Sequence, residues 1–332
     1  MPLSSLKPFT RITYLIIPTL IIIIASIYYL RDINLNRIVN LVALKPSVYW
    51  VIFFSFTVST LIIISINKIF LHDFEFDADF YRIALILWVS GASNYLFFAK
   101  FGIPVRVYLL KQLLHIPYRI SISVKIIIIW LTLISIIISG LIGSILSNEL
   151  PPIVVKNIIV FGIIGFFILI IIRFLSFEIK SRIHSEINLF SKIIKYSIEC
   201  YNAFNKVSVK PQVIAFMGLI IKSMIYAYVS FIIINSISEN TVSIYTVWAI
   251  QAVNSVVSLF SILPGGLGTK ELSLIFLFNL SGIGKEEALV LAAYERLIWV
   301  VPPIIFGFIS GGILGIFSNE NKRKTLETSG II

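Results

Sequence analysis

The chain has 332 residues, of which 58% are hydrophobic and only 13% are Asp, Glu, Lys or Arg. Water-soluble proteins carry about 25% charged residues, so this composition excludes a soluble globular protein and predicts an integral membrane protein. The net charge of +11 arises largely from short loops, where cations orient a membrane protein and attract anionic lipid headgroups. Membrane lipids are therefore the predicted partners, and nucleic acid is not.

Apolar segments follow one another along the chain, several of them long enough for the roughly 20 residues that a helix needs to cross a bilayer. They lie at 12–30, 48–66, 83–99, 103–115, 121–142, 153–175, 211–235, 242–263, 270–281 and 286–316. The first exceeds a signal-peptide core in length and is predicted to be a retained transmembrane helix. The expected fold is all-α, a polytopic integral membrane bundle over residues 1–317 with a short cytoplasmic tail at 318–332.

Two of these segments, 103–115 and 270–281, are too short to cross a membrane. At 1.5 Å per residue each would be about 20 Å long, against a hydrocarbon core of about 30 Å. Each follows a longer segment after a break that contains Gly102 and Pro104 in the first case, and Pro264, Gly265, Gly266 and Gly268 in the second. Such breaks are tolerated at membrane depth where they line a cavity. We therefore predict two re-entrant helical hairpins, beside six spanning helices.

The two interrupted pairs occupy corresponding positions in the two halves of the chain, an arrangement that indicates a transporter-like site near the bilayer midplane. Asn94 and Asn254 precede their breaks by similar distances, and charged residues follow at Arg106 and at Lys270. The hypothesis that follows is an inverted repeat.

The distribution of Lys and Arg favours a topology with both termini in the cytoplasm, which places about three times as many cations inside as outside. A rival topology, in which segment 83–99 spans and the N-terminus lies outside, scores similarly and stays open. Stretch 173–210 is cytoplasmic in both. Within it, Ile179, Ile183 and Ile187 recur on one helical face, so an amphipathic helix at about 176–207 should lie along the membrane surface. A connector between two bundle halves is favoured over a lipid-sensing or gating element.

Motifs for catalysis or metal binding are missing from the sequence. His72, His115 and His184 lie far apart without neighbours at ligand spacing. The glycine-rich break lacks the spacing of a phosphate-binding loop, and no nucleophile elbow is present. No catalytic residue, metal or cofactor is predicted, and the chain is not expected to be an enzyme.

Ionisable residues within apolar segments are costly, and they mark a functional site by default. The helix that starts after the second break offers unpaired N–H groups beside Lys270, which would form an anion site within the membrane. Glu271 is suited to pair with Arg296 from another helix. Because Glu295 and Arg296 are adjacent, their side chains point about 100° apart on a helix, so at least two separate interactions are required.

Prolines and isolated lysines add further predictions. Pro302 and Pro303 should kink the last apolar helix and free carbonyl groups near Trp299. Pro104 fits the first turn of its short helix. Lys125 and Lys222 are interpreted as snorkelling to the membrane interface rather than binding a ligand.

The stretches around the two breaks carry a recognisable pattern. Leu263–Glu271, with the sequence LPGGLGTKE, is followed by Gly282–Ala288 and by Tyr294–Arg296. These resemble the lysylphosphatidylglycerol synthase transmembrane-region family, also called flippase-like domain proteins, whose pattern here is Pro-Gly-Gly-x-Gly-x-[Arg/Lys]-Glu, a Gly-x-x-x-x-x-Ala helix start, and Tyr-Arg. Ala99–Leu110 resembles the family segment Pro-Gly-x-x-Gly-Glu-x-x-Arg, with Ala99 replacing the proline and Ile103 the acidic residue. The resemblance spans about residues 10–316.

The resemblance implies a domain that moves lipids across the cell membrane, either aminoacylated phosphatidylglycerol or polyprenyl-linked and other envelope lipids. A stand-alone membrane domain without aminoacyl transfer is expected. The residues predicted to bind the lipid headgroup are Arg106, Lys270, Glu271, Tyr294, Glu295 and Arg296. In this hypothesis the cations engage a lipid phosphate, and the two carboxylates hold them in place or select a cationic headgroup.

Two functions of other classes stay open. The protein could be an integral-membrane enzyme that modifies a lipid-linked substrate, with Glu271 or Glu295 as general base. It could also be a membrane scaffold for a separate glycosyltransferase. The partners that correspond to these alternatives are a separate lipid-modifying enzyme or a second copy of the chain in a homo-oligomer.

Overall fold

The computed structural model describes residues 38, 41, 44–96, 101–160, 162–164, 206–261 and 266–328, with side chains as far as residue 315 except at 259 and 260. Predictions for segment 12–30, for nearly all of the amphipathic helix at 176–207, for Pro264 and Gly265, and for residues 1–37 and 329–332 lie outside the described residues. Within the described part the regular elements are helices and no strand occurs, which confirms the all-α prediction.

The helices follow the apolar segments closely. They are α1 (Pro46–Asp73), α2 (Phe80–Leu96), α3 (Gly102–Leu114), α4 (Tyr118–Leu146), α5 (Val209–Ile237), α6 (Ile244–Phe260), α7 (Thr269–Leu280), α8 (Lys285–Trp299) and α9 (Val301–Thr328). Another apolar helix, Pro152–Ile164, begins between α4 and α5. In the described residues α1, α4, α5 and the stretch Lys285–Gly315 are long and apolar enough to cross a membrane.

The two interrupted pairs are similar in length. Helices α2 and α6 have 17 residues each, whereas α3 has 13 and α7 has 12. At 1.5 Å per residue, α3 and α7 are about 20 and 18 Å long, so neither can span a bilayer. Each short helix packs against the longer helix before it. The predicted short helices are therefore present and paired.

An asparagine links the two helices of each pair. Gly102 N, at the start of α3, donates a hydrogen bond to Asn94 Oδ1 on α2 at 2.9 Å. Ser273 Oγ on α7 donates to Asn254 Oδ1 on α6 at 3.0 Å. Each of the two asparagines that the sequence places before the breaks thus accepts a hydrogen bond from the following short helix, from a backbone N–H group in one pair and from a side-chain hydroxyl in the other.

The break before α7 depends on glycine. Gly266 and Gly268 have φ values of 71° and 79°, in the left-handed region that glycine adopts without a steric penalty. The chain thereby turns from α6 into α7. Pro104 lies in the first turn of α3, as predicted, because the missing N–H group of proline costs nothing at that position.

Two buried apolar clusters form the core. One is built mainly by α5, α6, α7 and α8, and the other mainly by α1, α2, α3 and α4. Contacts also join the halves, since α1 packs on α5, α4 on α6, and α2 on α9. Glycines permit two of these close approaches: a Cβ at Gly143 would lie 2.7 Å from Ala249 N, and one at Gly307 would lie 2.8 Å from Trp88 O.

Polar contacts identify loops that share an end of the bundle. Asp73, the last residue of α1, accepts hydrogen bonds from Ser208 N at 2.9 Å and Ser208 Oγ at 2.7 Å, just before α5. The loop after α5 meets the loop between α7 and α8, where Asn240 Nδ2 donates to Gly282 O at 2.9 Å. The start of α5 therefore lies beside the end of α1, and the end of α5 lies beside the loop between α7 and α8.

The predicted kink at Pro302 and Pro303 is confirmed. Helix α8 ends at Trp299, Val300 has φ −112° and ψ −49°, and α9 begins at Val301. The carbonyl oxygen of Trp299 accepts a hydrogen bond from Tyr95 Oη at 3.2 Å, in place of an intrahelical partner.

Candidate functional site

A cavity of about 690 Å³ lies inside the bundle between the two halves. It is lined by residues from all nine of the helices α1 to α9. The charged residues among its described lining are Arg106, Lys125, Lys222, Lys270, Glu271, Glu295 and Arg296. The structure therefore brings five of the six predicted headgroup residues to one cavity, together with two lysines that were assigned to the membrane surface.

Glu295 is the most heavily bonded of these residues and is only 3% exposed. Its carboxylate accepts hydrogen bonds from Ser230 Oγ at 3.0 Å, from Tyr226 Oη at 3.2 Å and from Gln251 Nε2. Lys270 Nζ lies 3.3 Å from Glu295 Oε2. The buried carboxylate is thus both neutralised and hydrogen-bonded, as a charge in this environment must be.

Lys270 reaches this carboxylate from the first turn of α7. Its Nζ also donates to Tyr226 Oη at 2.5 Å and lies 4.9 Å from the centre of the Tyr226 ring. An ammonium over an aromatic face gains a cation–π attraction. Lys270 is accordingly held by α5 and α8 at once.

Arg296 forms the second ion pair. Its Nε donates to Glu271 Oε1, which belongs to the first turn of α7. Both side chains are about one fifth exposed. The predicted pairing of Glu271 with Arg296 is confirmed, and so is the prediction that Glu295 and Arg296 require separate partners.

The other three cations of the cavity have no carboxylate partner among the described residues. Arg106 is only 6% exposed, and Lys125 and Lys222 are partly buried. Lys125 lies within electrostatic range of both Arg106 and Lys222, and Lys222 within range of Lys270. These residues form a row of positive charge that crosses from α3 through α4 and α5 to α7.

Lys125 and Lys222, which were predicted to snorkel to the membrane interface, both line the cavity. Lys222 lies 13 residues after the start of α5, about 20 Å along the helix at 1.5 Å per residue. That depth is too great for its side chain to reach the membrane surface.

Aromatic side chains form another wall of the cavity. Phe56 stacks on Trp88 with ring centres 5.7 Å apart, and Trp88 lies 5.0 Å from Phe306. Tyr226 stacks on Trp299 at 4.6 Å. Phe306 is 44% exposed on the outer surface of the bundle. The aromatic row therefore connects the charged interior to the surface that would face lipid.

Of the remaining predicted site residues that the structure describes, only Gly266 lines the cavity. Tyr294 is 8% exposed, belongs to the buried core cluster and lies beside Tyr49; it is not among the described residues that line the cavity. Gly266 lines the cavity, Gly268 directly precedes α7, and Gly102 packs against α2. No group of three or more metal-ligating side chains occurs in the described residues.

Comparison with known sequences supports the resemblance noted above. The sequence model of the lysylphosphatidylglycerol synthase TM region matches residues 15–307. The chain belongs to this family. The matched region contains α1 to α8 and every charged residue of the cavity. Family membership and the apolar helices together establish a multi-pass membrane protein linked to lipid metabolism or translocation. A search of curated proteins finds no significant match.

Proposed function

We propose that this protein translocates a membrane lipid with an anionic phosphate headgroup from one leaflet to the other. The observation that carries the proposal is a cavity with two unlike walls: a row of cations inside, and an aromatic row that leads to the outer surface. Such a cavity suits an amphipathic ligand, with its headgroup among the cations and its chains at the aromatic exit. A small soluble anion would not need the aromatic wall.

The charge of the cavity supports an anionic ligand. Five cations and two carboxylates line its described part, so positive charge is in excess. Each unpaired charge within the membrane costs about 2.5–3.5 kcal/mol on insertion scales. Arg106, Lys125 and Lys222 have no carboxylate partner among the described residues. Cations held at that cost favour a site in which the ligand supplies the negative charge.

Two re-entrant hairpins of opposite direction are part of the proposal. The residues before α2, after α3 and before α5 share a buried cluster that contains Ala78, Ile116 and Val207, which supports α2–α3 entering and leaving on one side. The Asn240–Gly282 bond supports α6–α7 doing so from the other end of α5. This arrangement is an inverted repeat with the cavity between its hairpins, placed in the cell membrane with both termini cytoplasmic.

The contacts of Glu295 favour translocation over chemistry. A general base needs a free lone pair directed at the substrate, whereas Glu295 already accepts bonds from Ser230, Tyr226 and Gln251 and pairs with Lys270. Cellular lipid profiles separate the two functions. In cells without this protein, a missing chemical species would indicate an enzyme, whereas a lipid present in the wrong leaflet would indicate a translocator.

Leaflet exchange in vesicles tests the proposal directly. The full chain is reconstituted with a trace of fluorescent phosphatidylglycerol or fluorescent polyprenyl diphosphate, and the label in the outer leaflet is quenched chemically. We expect exchange of at least one lipid to exceed that in protein-free vesicles, and Lys222→Gln to slow it at least fivefold. Lys222→Arg, which keeps the charge, and Lys210→Gln, at an exposed position of the same helix, should retain the wild-type rate. Exchange of neither lipid above the protein-free rate would overturn the proposal.

A further inference from the structure

We propose that the headgroup carries two or more negative charges on linked phosphates, as in a lipid diphosphate, and that zwitterionic or aminoacylated headgroups are excluded. This inference rests on the proposed function and specifies its substrate class. It follows from how the charges of the cavity are paired, from a buried hydroxyl without a hydrogen-bond partner among the described residues, and from the three cations that would repel an ammonium group.

The pairing leaves three positive charges. Lys270 is neutralised by Glu295, and Arg296 by Glu271. Arg106, Lys125 and Lys222 line the same cavity without a carboxylate partner in the described part of the chain. A phosphodiester headgroup brings one negative charge and would leave most of this excess unbalanced, whereas a diphosphate brings at least two.

The arrangement of the three cations also favours an extended anion. They belong to three different helices, and Lys125 is the member that lies near both of the others. A single phosphate is compact, whereas a diphosphate presents oxygens along a longer line. Its two phosphates can contact successive members of the row, each through charge-assisted hydrogen bonds.

A buried hydroxyl adds an independent indication. Ser59 lines the cavity and is 2% exposed, and its Oγ has no hydrogen-bond partner among the described residues. Buried polar groups are nearly always hydrogen-bonded in proteins. The hydroxyl of Ser59 can donate to a phosphate oxygen, so a ligand in the cavity would satisfy it.

The unpaired cations of the cavity disfavour a cationic headgroup. Glu295 is fully engaged by its four partners. One oxygen of Glu271 binds Arg296, which already supplies a counter-charge, and the other, Oε2, is buried without a hydrogen-bond partner among the described residues. An ethanolamine or lysyl headgroup would bring its ammonium among Arg106, Lys125 and Lys222, where like charges repel. The sequence suggested that Glu271 and Glu295 could select a cationic headgroup. We infer instead that the site selects an anionic headgroup.

Binding to the purified full chain in mild detergent tests this assignment. The probes are a polyprenyl diphosphate, the monophosphate of the same chain length, phosphatidylethanolamine, lysyl-phosphatidylglycerol and inorganic diphosphate. We expect the lipid diphosphate to bind at least tenfold more tightly than the monophosphate, and both amine-containing lipids to bind most weakly. Either amine lipid binding as tightly as the diphosphate would overturn the inference. Equal binding of inorganic diphosphate would overturn the lipid part of it, since the site would then recognise a soluble anion.

Matched variants test whether Lys125 and Lys222 bind the diphosphate. Lys125→Gln and Lys222→Gln should each weaken binding of the lipid diphosphate about tenfold, which is about 1.4 kcal/mol, and should reduce its preference over the monophosphate. Lys111→Gln and Lys210→Gln, at exposed positions on α3 and α5, should bind as wild type does. Lys222→Arg should retain binding, which separates loss of charge from loss of fold. An unchanged preference in both Gln variants of the row would contradict the assignment.

The two proposals fail in different ways. Rapid leaflet exchange of fluorescent phosphatidylethanolamine, with no preference for the diphosphate, would leave translocation standing and overturn the headgroup assignment. Preferential binding of the diphosphate without leaflet exchange of any lipid would leave the headgroup assignment standing and overturn translocation.

Discussion

At the scale of single residues, Glu295 joins four helices that would otherwise meet mainly through apolar contacts. It lies on α8, its hydrogen-bond donors Tyr226 and Ser230 lie on α5 and Gln251 on α6, and Lys270 lies on α7. Removing one partner of a buried ion pair leaves an uncompensated buried charge, which is strongly destabilising. The stability of the second half should therefore depend on this carboxylate.

We expect Glu295→Gln to destabilise the protein by about 3 kcal/mol, because the partly buried Lys270 loses its counter-charge. Thermal unfolding in detergent measures the loss. Glu239→Gln, at an exposed position in the loop after α5, is the control and should melt as wild type does. The double variant Lys270→Met with Glu295→Leu removes both charges and should recover most of the stability. A wild-type melting temperature for Glu295→Gln alone would contradict this account.

The ion pairs were largely predictable from sequence, whereas the faces of the long helices were not. A helix places Glu295 and Arg296 about 100° apart, and this angle alone requires two separate partners. Lys222 shows what the sequence could not predict. Its position near the middle of segment 211–235 indicated that it lies deep in the membrane, since a lysine side chain cannot reach the surface from there. The charged side chains within electrostatic range of Lys222 belong to α4 and α7, and no local pattern specifies which helices will be neighbours.

At the scale of elements, the junction between α2 and α3 leaves no room for a side chain at Gly102. A Cβ there would lie 1.9 Å from the backbone oxygen of Ser90 and 2.7 Å from Asn94 Oδ1. A backbone atom cannot rotate away as a side chain can, so α3 would have to move off α2. The hydrogen bond from Gly102 N to Asn94 would then be lost.

Gly102→Ala should consequently destabilise the protein by about 1–3 kcal/mol, the usual cost of overpacking, and should slow lipid exchange because Arg106 is displaced with α3. Gly312→Ala is the matched control: it lies within α9 with no atom within 4 Å of an added Cβ, so its stability should be unchanged or slightly higher. Melting curves and exchange rates of the two variants, compared side by side, decide the matter. Equal effects of the two substitutions would refute the steric argument.

The elements themselves followed from simple lengths and breaks. Helices α3 and α7 were predicted because their apolar segments are too short to span a bilayer and follow breaks that contain Gly and Pro. The junction of α8 and α9 was predicted from two adjacent prolines. The asparagine links within each pair could not be derived, because Asn94 and Ser90 meet Gly102 only once the chain has turned back. Spacing along the sequence suggested that the two pairs correspond, but it did not identify the atoms that link the helices of each pair.

For the whole molecule, the contact between Asp73 and Ser208 bears on topology. The count of cations alone left two arrangements open, one of which puts residues 67–82 outside and 173–210 inside. Hydrogen bonds of 2.9 and 2.7 Å join Asp73 to Ser208, and residues on opposite faces of a bilayer about 30 Å thick cannot form them. The end of α1 and the start of α5 therefore belong on one side, which favours the topology with both termini cytoplasmic.

Cysteine labelling in intact cells tests this arrangement, since the sequence has a single cysteine, Cys200, which Cys200→Ser removes. In that background we expect Asp77→Cys and Lys210→Cys to react only after the membrane is made permeable. Lys45→Cys and Glu239→Cys should react with a membrane-impermeant maleimide from outside. All four positions are exposed, so accessibility differs by side and not by burial. Asp77→Cys labelled from outside, with Lys210→Cys protected, would restore the rival topology and remove the support for a re-entrant α2–α3 pair.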